Sequence, residues 1–278
     1  MDALEIELNL QSNDSEAIIK SLIFMQNRRE MHDLSTTIGL IHHGDPVVKR
    51  AAISASVSII RNSLVENYNT LGAEGRKKLA EIMDRIHPDA VNELLKEAHS
   101  SNEEVRIHSL MILGLLRRRE AIRQIIEKEL KSSNVRVRAT ATQAIGNHPE
   151  VSEHLMLLKQ LNDSDCRVRA NAVEALEQYG DQKIVFSLKR LLNDGNNRVR
   201  ANALKALYHF GFESIEDDII TMLNDRSLNM VASGLWLVGE LGIDSEDVFE
   251  HCRMYQYHPD PMIRRNYDRA CKHMHRQY

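Results

Sequence analysis

The stretch DCRVRANAVEALEQYG at residues 165–180 recurs 31 residues later as NNRVRANALKALYHFG at residues 196–211. The same register continues in both directions, with an apolar residue at the centre of each copy. From residue 105 onward these central residues are 31 to 33 positions apart, and one further copy precedes them. They are Val48, Val105, Val137, Val168, Val199, Met230 and Ile263. A near-constant period of this length is the sequence signature of a repeat protein.

Each copy carries signals that begin and end a helix. Three residues before the central residue stands a side chain whose oxygen can accept a free backbone N–H of the first helical turn. These predicted N-caps are Asp45, Asn102, Asn134, Asp165, Asn196, Ser227 and Asp260. At the other end Gly180, Gly211 and Gly242 recur at a spacing of 31, with Pro149 in that place one repeat earlier. Glycine suits the left-handed residue that closes a helix.

Apolar residues between cap and glycine follow the α-helical period and form one broad stripe. In the copy at 165–180 the stripe consists of Val168, Ala172, Ala175, Leu176 and Tyr179. A second helix follows in each unit, because further apolar residues recur 31 apart. They are Leu157, Leu188 and Ile219, then Leu161, Leu192 and Leu223. One helical hairpin cannot bury both stripes, whereas stacked neighbours can, so the pattern predicts a solenoid.

The segments VRANAVEALEQYGD at 168–181 and VRANALKALYHFG at 199–211 resemble the short HEAT-like repeats of the bilin-lyase type. Those repeats carry the pattern Asp-x-x-Val-Arg-x-x-Ala-x-x-Ala-Leu-x-x-Leu-Gly. The resemblance is strong over 102–242 and extends to 45–60 and 258–272. It implies an all-α fold, a right-handed α-solenoid (superhelix) of stacked HEAT-like helical hairpins.

We expect a single HEAT-like repeat domain over residues 1–278, because Gly and Pro are scarce and no stretch has the composition of a linker. Residues 1–100 should hold degenerate N-terminal repeats, 101–243 regular repeats of about 31 residues, and 244–278 a C-terminal cap. The helices predicted within the first part are 14–27, 30–42, 45–67, 72–86 and 88–99.

Composition narrows the functional classes. The net charge is −4, and a mildly basic middle, with 18 basic and 13 acidic side chains at 101–210, lies between acidic ends. This balance makes nucleic acid an improbable partner, since such binding needs a dense basic stripe. Three cysteines without CxxC spacing fit a reducing compartment. The acidic start MDALEIELNL is no signal peptide, and no apolar run spans a membrane, so we expect a cytoplasmic protein.

The arginine after each central valine projects into the apolar stripe and therefore needs a partner. These arginines are Arg106, Arg138, Arg169 and Arg200. Asp163, Asp194 and Asp225 recur in the turn before successive helices. We expect a ladder of Arg–Asp contacts that joins neighbouring repeats, and the resemblance implies the same.

The arginine before the valine projects away from the stripe, and three further positions of each repeat share that exposed ridge. The predicted partner contacts on the ridge and beside it are Arg136, Arg167, Arg198, Asn171, Asn202, Lys205, Tyr208, His209 and Trp236. Arginine binds carboxylates through forked donors, and asparagine amides can pair with a peptide backbone. Two alternatives stay open: drift among duplicated repeats, and burial of Trp236, the single tryptophan, under the C-terminal helix.

No motif indicates catalysis. The best histidine cluster, Cys271, His273 and His275, has alternating spacing that scatters its side chains around a helix, so we predict no metal and no cofactor. The sequence contains no His-Glu dipeptide of the kind that holds di-iron in some HEAT-like enzymes. We expect a non-enzymatic scaffold, adaptor or regulatory subunit that binds an acidic or extended segment of another protein. The alternatives are a nucleic-acid-binding HEAT-like protein and a bilin-lyase-like enzyme or chaperone.

Overall fold

The structure is a computed structural model, and it divides into two compact units, Met1–Ala144 and Ile145–Tyr278. The residues that it describes are 1–28, 34–68, 70–87, 89–116, 120–147, 154–179, 184–212 and 215–274. Every regular element in these residues is helical, which confirms the all-α prediction. The organisation as one continuous domain and the right-handed superhelix stay predictions.

The first unit contains the helices α1 to α8 and most of α9. Their bounds are α1 (Ala3–Leu10), α2 (Ser15–Arg28), α3 (Leu34–Gly39, continued by a 3-10 turn at Leu40–His42), α4 (Pro46–Glu66), α5 (Ala73–Ile86), α6 (Ala90–Glu97), α7 (Glu103–Leu113), α8 (Glu120–Glu129) and α9 (Val135–Gly146). Helices α2 to α6 confirm the five predicted from the sequence to within a few residues at each end.

Helix α1 was not predicted. It begins at the N-cap Asp2, whose carboxylate accepts the Glu5 N–H at 2.8 Å. It buries Ile6 and Leu10 in a cluster with residues of α2 and α4. Eight residues with two inward apolar positions give too weak a periodic signal to identify a helix from sequence.

The second unit contains four hairpins. Its helices are α10 (His154–Gln160), α11 (Cys166–Glu177), α12 (Val185–Lys189, continued by a 3-10 turn at Arg190–Asn193), α13 (Asn197–His209), α14 (Glu216–Leu223), α15 (Leu228–Leu241), α16 (Glu246–Arg253) and α17 (Pro261–Met274). We call α11, α13, α15 and α17 the aligned helices, because each packs against the next. Side-chain bonds join corresponding turns of neighbours, so the aligned helices run parallel and in register.

The repeated apolar column forms the core of this unit. Val168, Val199, Met230 and Ile263 are all buried, and so are the predicted apolar residues of the second helices, apart from the partly buried Leu192. Met230 and Ile263 belong to one continuous cluster built from α13 to α17. Each buried residue of this size contributes roughly 1.5–3 kcal/mol, so near-identical stripes stabilise successive interfaces alike.

Six of the seven predicted N-caps form in the structure. The side chains of Asp45, Asn102, Asn134, Asp165, Asn196 and Asp260 accept a backbone N–H two residues further on, at 2.7 to 3.1 Å. Ser227 occupies the N-cap position of α15, but its side chain makes no cap bond, so that prediction was wrong in its chemistry. Gly211 and Gly242 have the predicted left-handed conformation, with φ of 82° and 62°. Gly180 and Pro149 lie outside the described residues.

The arginine that follows the central apolar residue donates mainly to carbonyl oxygens of the backbone. Arg138, Arg169 and Arg264 donate to two carbonyl oxygens five and six residues earlier, and Arg200 donates to one six residues earlier. The predicted carboxylate contact is formed between Arg169 and Asp194, which follows it in the chain. These arginines therefore fix the turn before their own helix, and Arg169 also joins two neighbouring repeats.

Among the described helices, none combines the length and apolarity that crossing a membrane requires.

Candidate functional site

A groove of about 470 Å³ crosses the aligned helices of the second unit. Its lining comes from Glu174 of α11, from Asn197, Arg198, Ala201, Asn202 and Lys205 of α13, from Asn229, Ala232, Ser233, Trp236 and Glu240 of α15, and from Met262 and Asn266 of α17. Four of the nine predicted contacts, Arg198, Asn202, Lys205 and Trp236, therefore meet in one cavity.

The floor of the groove follows from close packing between aligned helices. Ala201 and Ala232 stand two positions after the central apolar residue, outside the predicted stripe, and are nevertheless buried. Neighbouring aligned helices meet at these small residues, so the buried face of each helix is wider than its own periodicity indicates. The exposed ridge is correspondingly narrower than predicted.

The asparagine column lies on the edge of that buried face. Asn202 is only 7% exposed, and its amide nitrogen donates to the Ala170 carbonyl of α11 at 3.4 Å. Asn266 makes the equivalent bond from α17 to the Ala232 carbonyl of α15 at 2.9 Å. These amides do pair with a peptide backbone, as predicted for this residue type, but the backbone is that of the preceding repeat. Asn171 is half-buried.

Lys205 and His209 are joined to one carboxylate. Lys205 Nζ lies 3.1 Å from Oε2 of Glu177, and His209 Nδ1 lies 2.6 Å from Oε1. The side chain of Glu177 is 13% exposed, and Lys205 is mostly covered as well. Tyr208 is half-buried against the core, with its ring centroid 6.3 Å from that of His209. The charge of Lys205 is therefore largely neutralised at the groove.

Arg136 and Arg167 are exposed but form ion pairs within the chain. Arg136, in the first unit, lies 2.9 Å from Glu103 and 2.6 Å from Glu104. Its hydrogen bond raises the pKa of Arg136 and lowers the pKa of Glu104. Arg167 lies 3.1 Å from its own N-cap Asp165, and this contact lowers the pKa of that carboxyl. Whether these two arginines contact a partner stays a prediction.

Two rows of side chains border the groove, and we call them its N-terminal and C-terminal rims. The N-terminal rim holds Arg198 and Asn229, each the second residue of its helix. The C-terminal rim holds Glu174, Trp236 and Glu240. Trp236 is half-buried and packs on the core cluster of α13 to α17. Its position therefore lies between the two predictions for this residue, an exposed side chain and one buried under the C-terminal helix. Among the described residues, Arg198, Asn229, Glu174 and Trp236 have no side-chain hydrogen bond or ion pair.

Glu174 and Glu240 line the groove but are not among the predicted contacts, because the predicted acidic partner called for basic and amide side chains. Met262 and Asn266 were also not selected. The sequence feature that could have identified them is the N-cap Asp260, which puts α17 in the same register as the other aligned helices. Within the described ranges, no group of His, Cys, Asp and Glu is arranged to hold a metal. His275 of the weak histidine cluster lies outside those ranges.

Comparisons with known proteins identify the repeats. No curated protein matches the chain. A crystal structure of a mutant of Kap121p aligns with 95% of the chain at 12% identity and a TM-score of 0.47. The chain spans only 36% of the length of that protein. An X-ray structure of YibA from E. coli aligns with 98% of the chain at 16% identity and a TM-score of 0.45, over 93% of YibA.

The family model for HEAT repeats matches residues 155–227, which include α11, α13 and the part of the groove lining that these two helices supply. The sequence resemblance to HEAT-like repeats is thereby confirmed, and residues 155–227 match HEAT repeats.

Proposed function

We propose that this chain is a non-enzymatic interaction scaffold, and that the groove of its second unit holds an extended segment of another protein. The observation that carries the proposal is the set of unpartnered polar groups on both rims, above a floor of small residues. Arg198, Asn229 and the indole N–H of Trp236 can all donate to a ligand, while the small side chains of Ala201 and Ala232 leave the space above them open for a main chain between the rims.

The rim chemistry favours protein over nucleic acid. Glu174 and Glu240 line the same groove as Arg198, so a strand that brought phosphates to Arg198 would also bring them near two carboxylates. Nucleic-acid affinity depends on Lys and Arg that neutralise phosphates, and the charge of Lys205 is already taken by Glu177. A peptide, in contrast, can meet both signs of charge and can stack on Trp236.

Trp236 also has the character of a binding hot spot. Tryptophan is enriched among the residues that contribute most to protein interfaces, particularly where it is partly buried and rigidly held. Trp236 rests on the core cluster and presents its remaining surface to the groove. We expect Arg198 and Trp236 to carry most of the binding energy, and Asn202 and Lys205 to support the groove from within.

Site-specific photo-crosslinking tests this function. A benzoylphenylalanine residue replaces Trp236 in one variant and Phe186, an aromatic residue on α12 that is 81% exposed, in the control. Both full-length variants are irradiated in an extract of the source organism, and crosslinked peptides are mapped by mass spectrometry.

The proposal predicts that position 236 crosslinks to one short segment of a protein and that position 186 does not. A synthetic peptide of that segment should bind the wild type and lose at least about tenfold in affinity with Arg198→Glu, a loss of about 1.4 kcal/mol. Adducts shared equally by both positions, adducts to nucleic acid, or no adduct at all would contradict it.

A further inference from the structure

The charges that line the groove are not equivalent. Lys205 is paired with Glu177, and one oxygen of Glu240 accepts from the Arg269 guanidinium. Arg198 and Glu174 form no ion pair with any described residue. The groove therefore presents one unneutralised cation and one unneutralised carboxylate, and these stand on opposite rims.

The separation of the rims follows from the parallel register of the aligned helices. Arg198 is the second residue of α13, whereas Trp236 is the ninth of α15 and Glu174 the ninth of α11. Seven residues of α-helix span roughly 10 Å along the axis. The N-terminal ends of α13 and α15 carry the positive pole of the helix dipole and add positive potential on the side of Arg198. The groove is thus polarised across its width, positive at the N-terminal rim and negative at the C-terminal rim.

The side chains of the C-terminal rim are also arranged to bind a cation. Trp236 and Glu240 are four residues apart on α15, and residues at that spacing are neighbours on one helix face. A lysine or arginine side chain placed against the indole would gain a cation–π contact and would lie beside the carboxylate of Glu240. The expectation of a purely acidic partner, which followed from the arginines alone, does not account for this rim.

An extended peptide can satisfy both rims at once. Its successive side chains point to opposite sides, so residues an odd number of positions apart reach opposite rims. Adjacent helices lie 8–10 Å apart, which is about three residues of extended chain. Arg198 on α13 and Trp236 on α15 are one helix spacing apart, so an odd separation of three fits both the direction and the distance.

Resting on the proposed function, we infer that the groove selects an extended segment carrying a basic and an acidic side chain three residues apart, the basic one against Trp236 and Glu240 and the acidic one against Arg198.

A peptide array tests this inference with the full-length protein. Decapeptides otherwise made of serine alone carry one Arg and one Asp at every pair of positions, so that composition is constant and only order and spacing vary. Labelled wild-type protein should bind peptides with odd spacings, and spacing three in particular, about tenfold more tightly than peptides with spacing four. Only one order of the two charges should bind well.

Variants of the protein in which one charge is reversed provide a second test. Arg198→Glu should shift the preference toward peptides in which the Asp is replaced by Lys, whereas Arg190→Glu, at an exposed arginine outside the groove, should leave the pattern unchanged. Glu240→Lys should shift the preference toward peptides in which the Arg is replaced by Asp, whereas Glu250→Lys, at an exposed carboxylate on α16 outside the groove, should leave the pattern unchanged.

The outcomes separate this inference from the function on which it rests. Binding that ignores spacing, or that prefers peptides with two Asp residues, overturns the inference and leaves a peptide-binding groove. Absence of binding to every array peptide also overturns it, and the crosslinking at position 236 then decides the function by itself.

Discussion

The guanidinium of Arg169 donates from Nε and Nη2 to the two carboxylate oxygens of Asp194 at 2.8 and 2.9 Å, although the residues are 25 positions apart. The same arginine donates to the carbonyls of Asp163 and Ser164, and Asp194 accepts the Asn196 N–H. One two-pronged contact thus connects the turn before α11 with the turn before α13. Both side chains are largely covered, at 18% and 8% exposed.

This contact predicts acid-sensitive stability. Burial favours a raised pKa for Asp194, but the hydrogen bonds from Arg169 and the Asn196 N–H outweigh it and hold the pKa below its ordinary value. Because the folded-state pKa is the lower one, the stabilisation is complete above the unfolded-state value of about 3.9 and is lost as the pH falls through the folded-state value.

Asp194→Asn should therefore lower the free energy of unfolding by about 2 kcal/mol at pH 7, and the difference from wild type should shrink below pH 4. Urea unfolding at several pH values measures it. Asp225→Asn is the control, since Asp225 has the same place one repeat later and accepts the Ser227 N–H without an arginine partner among the described residues. Equal losses in both variants would show that the turn, not the ion pair, is responsible.

A second prediction compares two N-caps of the same column. The Asn196 side chain accepts the Arg198 and Val199 N–H groups, whereas the Ser227 side chain accepts none. Asn196→Ala should cost about 1 kcal/mol of unfolding free energy, and Ser227→Ala should change it by less than about 0.5 kcal/mol. Thermal and urea unfolding of both variants check this, and equal effects would refute the assignment.

A third prediction concerns the close approach of Gly146 to Ala175, both of which belong to the second unit. A Cβ on Gly146 would lie 2.6 Å from Cβ and 3.1 Å from Cα of Ala175, so one of the two residues would have to move. Gly146→Ala should destabilise the fold by roughly 1–3 kcal/mol. Gly195→Ala is the matched control, because nothing lies within 4 Å of the added carbon there. If the two variants unfold alike, Gly146 and Ala175 do not pack at this distance.

A fourth prediction uses the three thiols. Burial raises the pKa of Cys252 to about 12 and also raises that of Cys271, while Cys166 is partly exposed at the start of α11. At pH 8 Ellman's reagent should react with one thiol of the folded protein, and Cys166→Ser should remove that reaction. In guanidinium chloride all three should react. Fast reaction of Cys252 in the folded state would contradict the packing of α16 against α17.

The structural features that the sequence predicted are those that depend on a single helix. The period of 31, the buried valines and six of seven caps follow from local patterns, because a stripe, a cap and a closing glycine are each read within one repeat. Ser227 shows the limit of that reasoning, since a suitable residue in the right place does not ensure that its hydroxyl turns toward the backbone.

The groove depended on neighbours and was only partly predictable. A helical wheel gives the direction of Asn202 but not the distance to the next helix, so its contact with the Ala170 carbonyl could not be foreseen. Neither could the pairing of Lys205 with Glu177, which requires the register between α11 and α13. Arg198 is exposed, as its place on the helical wheel predicted, whereas Trp236 is half-buried because it packs on the core cluster of α13 to α17.

The fifth prediction tests the central claim most directly, through the quenching of Trp236 fluorescence by acrylamide. Trp236 is the single tryptophan of the chain, so its emission reports the groove alone. A peptide of the segment mapped by crosslinking should saturate the protein, reduce the quenching constant at least about twofold, and require about tenfold more peptide with Arg198→Glu than with Arg190→Glu. An unchanged quenching constant while fluorescence anisotropy shows the labelled peptide fully bound would mean that the partner lies elsewhere, and the account of the groove would be wrong.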